Sequence, residues 1–446
     1  MLEVVTMDGM KPEEKMEKLF EAWLSPQGAE FKNPEAEKDY RDRVKRLSDA
    51  LRLKVPDRVP VYTNIGFYPA YAAGITAEEV VHDYNKLTSA WQKNILENKP
   101  DTYGGSGTPG PGKAYGILDY KLYLLPGHGA APDSPYQYVE GVYMTADEYD
   151  DLIDDPSDFM MRTFIPRIFG KLEPFAKISP ANMTLELPFT SVYMTGWGTP
   201  EIRSALEALM AAGEEAIKWR QAVTACDNEI RANGFPLFSG GYSKAPFDVL
   251  SDTLRGTREL SLDLYRQPEK VIEAMERLVP LMIKMGVAAA KASGRPLVTL
   301  PLHKGADGFM SEEQFLEFYW PTLKKVILGL IDEGVFPFLF AEGGYETRLE
   351  IIKDLPEGRT AWHFDFTDMA KAKEALGKTA CIIGNVPLSL LNTATTDEVR
   401  QYCKQLIDVA GKGGGFILAS GGVIDKAKPE NIRTMIDFSK EYGVYS

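Results

Sequence analysis

The chain has 446 residues, 44% hydrophobic and 26% charged: enough apolar surface for a large core, and long for one domain unless a barrel with additions absorbs it. A net charge of −14 and a pI near 5.0 argue against nucleic acid, whose phosphates need a basic face. No apolar run approaches the roughly 20 residues of a membrane helix, the first residues lack a signal-peptide pattern, and three scattered cysteines make no disulfide framework, so a cytoplasmic protein is expected.

Residues 1–54 predict a helical arm. Met16, Leu19, Phe20, Trp23 and Leu24 form one apolar stripe, stopped by Ser25-Pro26, and Tyr40, Val44, Leu47 and Leu51 form another. Such an arm docks on its own domain or serves a homodimer contact. From 55 to 446 the pattern is that of one strand–helix domain. The first buried strand is 59–66, followed by the capping box Thr76-Ala-Glu-Glu, and a second strand ends near Tyr103. An insertion at about 104–146 is rich in Gly and Pro and carries Tyr115, Tyr120, Tyr123, Tyr136 and Tyr138. Stretches of this kind are lids or partner surfaces, or else hairpins whose tyrosines pack.

The segment 183–189 reads as the third strand, with helical blocks at 147–176, 199–232 and 247–292 and a short strand or loop at 235–242. Further strands follow at 296–302, 336–340, 360–364, 379–383 and 415–419, separated by helices such as the one capped by Ser311-Glu-Glu-Gln314. Eight strands alternating with helices predict an α/β fold, a TIM-type (β/α)8 barrel with an N-terminal helical extension and a Gly/Pro/Tyr-rich insertion. A doubly wound open sheet is the alternative. No GxGxxG or phosphate loop points to a nucleotide.

On this reading His303, Glu342 and His363 end strands four, five and six at the C-terminal lips, where barrel enzymes keep their chemistry. Neighbouring strands lie about 5 Å apart, so the three side chains can meet on one ion. A carboxylate and two imidazoles suit a catalytic zinc with an open position. Other roles stay open: His303 as a substrate hydrogen-bonding group, His363 as a core histidine, Glu342 as an ion-pair partner or general acid/base. Asp365, on the same strand face as His363, is a candidate base or imidazole-orienting group. Asn385 and Ser420 are candidate polar contacts at the last two lips. Tyr62, Asn64 and Tyr68 at the first lip, with Phe340 and Trp197, are candidates to wall an aromatic pocket.

Several stretches together resemble the uroporphyrinogen decarboxylase superfamily: Arg58-Val-Pro-Val, Pro188-Phe-Thr190, the run from Gly308-Phe-Met-Ser to Tyr319-Trp-Pro321, Gly384-Asn-Val-Pro387, Gly414-Gly-Phe-Ile-Leu-Ala and Pro429-Glu-Asn-Ile432. The resemblance runs from about residue 55 onward and implies a TIM-type barrel with its site at the C-terminal mouth. The decarboxylases carry an Arg-rich loop after the first strand, whereas Tyr62-Thr-Asn-Ile-Gly-Phe-Tyr68 has no arginine. Cobamide-dependent methyltransferases of this superfamily that act on coenzyme M hold zinc through His-x-Cys and a later Cys. Here the matching places are Phe340-Ala-Glu342 and Gly421-Gly422. Glu342 with His363 is similar to the ligand pattern of methyltransferases in anaerobic O-demethylase systems. That resemblance implies zinc on an ether oxygen and transfer of a methyl group from a methoxylated compound to the cobamide of a separate corrinoid protein. A metal-independent decarboxylase or lyase using Glu342 and Asp365, and a non-catalytic corrinoid-binding component, are the alternatives.

Overall fold

Long apolar stretches such as Phe336–Ala341 become strands buried on both faces, the mark of a parallel sheet covered by helices. The computed structural model describes residues 9–182, 186–187 and 190–445. In chain order the main strands are β1 (Tyr62–Thr63), β2 (Thr102–Tyr103), β3 (Gly241–Tyr242), β4 (Leu297–Leu302), β5 (Phe336–Ala341), β6 (Ala361–Phe364), β7 (Cys381–Val386) and β8 (Phe416–Ser420). β3 to β8 form one six-stranded parallel sheet in sequential order, and β1 pairs with β2 in a second parallel sheet. Single parallel bridges link this pair to both edges of the larger sheet: Val61 to Leu418 beside β8, and Tyr103 to Leu237 just before β3.

The third strand expected at 183–189 lies largely outside the described residues, as do Pro188 and Phe189 of the Pro188-Phe-Thr190 motif. The place beside β2 belongs to 237–242, which the sequence left as a short strand or loop. Only two of its residues are regular strand, and Gly240-Gly241 interrupts the alternation that would reveal it.

Side chains alternate between two environments. Tyr62, Phe238, Leu297, Phe336, Phe338, Ala361, Ile383, Ile417 and Ala419 meet in one interior cluster. Val298, Leu300, Leu339, Trp362, Ile382 and Leu418 face the surrounding helices. Two N-terminal helices, α1 (Pro12–Leu24) and α2 (Pro34–Leu51), cover the start of the strands and add Phe20, Trp23, Val44 and Leu47 to the interior cluster. Phe20 packs edge-on against Phe336 at 5.9 Å, and Trp23 Nε1 donates to the Leu237 carbonyl at 3.1 Å. Beneath the arm lies the fully buried Asp101, held by Arg46 and Arg58 at 2.7 Å each and by the Val61 N–H at 2.9 Å. Burial alone would raise this carboxyl, but the two guanidiniums outweigh it and hold it below its ordinary range.

The insertion is a folded element. A helix at Gly112–Leu118 precedes a small sheet in which Tyr123–Pro126 pairs antiparallel with Gln137–Tyr138 and parallel with Gly129–Ala130.

Candidate active site at the strand ends

Strand register fixes what stands together at the C-terminal ends. Leu302 is level with Ala341, and Ala341 with Phe364. One residue further on, His303, Glu342 and Asp365 are therefore level, and all three belong to the inward-facing set. The Glu342 N–H still donates to Leu302 O (3.2 Å) and the Asp365 N–H to Ala341 O (3.3 Å), so the ladder carries all three positions into the mouth.

A fourth element completes the group. After β3, the turn Pro246–Asp248 continues into a wide helical turn, Val249–Leu254, and presents Asp248 and Asp252 four residues apart. Asp248 is fully buried and accepts from the His303 N–H (3.0 Å), the Lys304 N–H (3.1 Å) and the Tyr319 hydroxyl (2.8 Å). Burial, then the charge of Asp252, pushes its carboxyl up to about 6. Asp252 Oδ2 lies 2.5 Å from His303 Nδ1 and 2.8 Å from Lys244 Nζ, with Lys304 Nζ 3.6 Å from its other oxygen. Burial opposes its ionisation, but His303 and Lys244 overcome this and keep it well below the usual carboxylate range.

His303 is thus fixed from one side. Its Nδ1 serves Asp252, and Nε2 faces the mouth 3.6 Å from Glu342 Oε1. Burial lowers its pKa, yet the Asp252 hydrogen bond and the surrounding carboxylates prevail and raise it, favouring an imidazolium with its second N–H free. Glu342 keeps 43% of its side chain accessible. Its carboxyl is raised by burial and by Asp365, Asp248 and Asp252, against the opposing pull of His303. Asp365, also raised by burial, accepts from the Gly343 N–H at 3.3 Å. A Cβ on Gly421 would come within 3.2 Å of the Asp365 carboxylate and 2.7 Å of its carbonyl, so a glycine at this last lip leaves the space to Asp365.

His363 does not join this group, which corrects the expected ligand set. It is level with Phe340, two residues and about 6–7 Å deeper than Asp365. Its Nε2 donates to the Ser420 carbonyl at 2.7 Å, and its ring stacks on Phe340 at 4.6 Å. Burial lowers its pKa to about 4, and among the described residues Nδ1 has no hydrogen-bond partner. His363 is a neutral interior histidine. Among the described residues no three His, Cys, Asp or Glu side chains are grouped as a metal ion requires, so the residues present do not fit zinc held by Glu342, His363 and His303.

The remaining candidates divide by depth. Phe340 floors the mouth, and Asn64 accepts from the Tyr62 hydroxyl (3.3 Å), but Tyr62 itself lies below, packed on Phe238 at 4.8 Å. Asn385 spends its amide on the Thr367 carbonyl (2.8 Å), and Ser420 its hydroxyl on the Gly422 carbonyl (2.7 Å). Tyr68 is a core residue. Trp197 packs against a separate helical cluster that includes Leu172, Ile202 and Ala205, so neither walls the mouth. Around the strand ends Tyr242, Phe309, Phe366 and Val423 leave apolar surface exposed. Sequence reasoning missed Asp248, Asp252, Lys244 and Lys304; the signal was two aspartates four apart just after a strand too short to be recognised.

The family model described as uroporphyrinogen decarboxylase (URO-D) matches residues 214–442, just over half of the chain. A solved structure of a methyltransferase from Methanosarcina mazei is similar in fold, with a TM-score of 0.57 at 15% identity over 91% of this chain and 98% of that one. No curated protein matches the chain.

Proposed function

The chain belongs to the uroporphyrinogen decarboxylase family, a family of TIM-barrel fold, and from that premise we propose that it is a methyltransferase acting on a methoxylated aromatic compound. The acceptor in this reading is the cobamide of a separate corrinoid protein. The observation that carries it is His303, anchored by Asp252 and presenting Nε2 at an open mouth beside Glu342. An aryl ether oxygen leaves poorly unless it is protonated, and an imidazolium in this position is a suitable general acid.

The chain's groups divide the work. Phe340 and Phe366 offer aromatic surface to the ring. His303 gives its Nε2 proton to the ether oxygen as the oxygen–methyl bond breaks, the bonding pair staying on oxygen. Asp252 holds the Nδ1–H throughout, and Glu342, protonated more readily than an ordinary glutamate, returns a proton to Nε2. His303 thus fills the part in leaving-group activation expected of zinc. When docked, the partner's cobalt(I) supplies the nucleophile for the methyl carbon. The exposed rim of Tyr242, Phe309, Phe366 and Val423 fits a flat macrocycle and its carrier better than open water.

The electrostatics weigh against a polycarboxylate substrate. Asp248, Asp252, Glu342 and Asp365 crowd the mouth against Lys244, Lys304 and His303, and no arginine follows β1. The similar fold of a protein described as a methyltransferase points the same way. Incubating the chain with a methoxybenzene and a corrinoid protein reduced to cobalt(I) tests the proposal, with methylcobamide and the free phenol expected together. Carbon dioxide released from an acid without the partner would favour a lyase instead, and cobamide binding without turnover a non-catalytic component.

A further inference from the structure

The tyrosine-bearing insertion runs between the segments that follow β1 and β3 and is tethered to both. On the β1 side the Tyr71 hydroxyl donates to the Asp133 carbonyl (2.7 Å), the Glu78 N–H to the Pro132 carbonyl (2.8 Å), and Phe67 meets Tyr136 edge-on at 5.8 Å. On the β3 side the Tyr138 hydroxyl donates to the backbone carbonyl of Asp252, the residue that holds His303. The Tyr143 N–H reaches the Leu254 carbonyl (2.8 Å) and Arg255 the Met144 carbonyl (2.5 Å). Between these tethers sits Tyr123, directly opposite Tyr138 in the hairpin register. Its ring is set by Tyr138 at 5.7 Å, Tyr136 at 5.6 Å and Tyr120 at 6.0 Å.

Rings held from three sides leave Tyr123 little freedom, yet its hydroxyl makes no hydrogen bond among the described residues, unlike those of Tyr71, Tyr138 and Tyr143. That hydroxyl feels the carboxylates of Asp252 and Glu342, which after burial are what raise its pKa, so it stays a neutral donor on the insertion. We propose that the Tyr123 hydroxyl is a second donor to the leaving oxygen, acting from the insertion while His303 acts from the strand ends. The proposal rests on the methyl-transfer reading. Tyr123 loses no proton in it; it stabilises the negative charge that grows on oxygen while His303 completes the proton transfer.

Tyr123→Phe keeps the ring packing and removes only the donor; Tyr120→Phe, in the same stack, is the control. With the full chain, corrinoid protein and a series of methoxybenzenes whose phenols differ in acidity, Tyr123→Phe is expected to lower kcat by about 10²-fold. KM should stay nearly unchanged, and the loss should deepen as the leaving phenol becomes more basic. A loss equal across the series, or matched by Tyr120→Phe, would overturn the assignment. Binding of phenolates, which carry the charge the leaving oxygen acquires, to the chain alone, followed by ultraviolet difference spectra, separates this from the function. Equal phenolate binding by wild type and Tyr123→Phe overturns the contact whatever the reaction. Tyr123-dependent binding without methyl transfer keeps the contact and removes the reaction.

Discussion

Two buried acidic groups mark the two ends of the strands, and they are treated in opposite ways. At the arm end Asp101 meets two arginines and a backbone N–H, so its charge is fully compensated and held below its ordinary range. At the mouth four carboxylates lean on one imidazole and two lysines, and Asp248, Glu342 and Asp365 are all raised. Compensated charge locks a structure, while under-compensated charge keeps protons ready to move. One end is built to hold and the other to react.

The comparison breaks first at the arm end. Asp101→Ala removes the partner of Arg58 and leaves Arg46 with Asp57 alone, and should lower unfolding stability by about 3–5 kcal/mol, read by urea denaturation, while kcat of the folded fraction is unchanged. A stability loss shared equally with Glu342→Gln would erase the distinction. Asp252→Asn keeps a side chain beside His303 but removes the negative charge that favours its imidazolium, and should cost about 10–100-fold in methyl transfer with little change in the urea midpoint.

Stability should also respond to pH with opposite sign at the two ends. Asp101 is depressed in the fold, so its contribution is present above its unfolded value and lost as pH falls through the lower folded value. His303 is raised, so its contribution is present below its unfolded value and lost as pH rises through the higher folded one. Comparing the urea midpoint of Asp101→Ala and of His303→Gln with wild type across pH should show the first difference shrinking in acid and the second shrinking in base. The smallest effect expected is that of a strong chelator, which should leave methyl transfer within about twofold because no zinc ligand set forms among the described residues; activity lost and then restored by zinc would reinstate the metal.

Much of this was legible in the sequence, and the exceptions have physical causes. The long strands β4 to β8 announced themselves by apolar runs, and the capping boxes at Thr76 and Ser311 are formed as read. Strand β3 has two regular residues and two glycines, too little for a period, so Asp248 and Asp252 were hidden in an apparent helix. Period two correctly put His363 and Asp365 on one face, but depth along a strand is invisible to period. Two residues separate a mouth carboxylate from a core imidazole bonded to Ser420. The insertion's tyrosines could be read as packing or as a lid; they stack on one another, and Tyr138 ties the insertion to Asp252.

The most direct test of the central claim is methyl transfer from a methoxybenzene to a cobalt(I) corrinoid protein by wild type and His303→Gln, followed by the absorbance of methylcobamide. Loss of the general acid should reduce the rate by about 10²–10⁴-fold, with the urea midpoint lowered far less than by Asp101→Ala. A His303→Gln protein that transfers methyl at the wild-type rate would contradict the account.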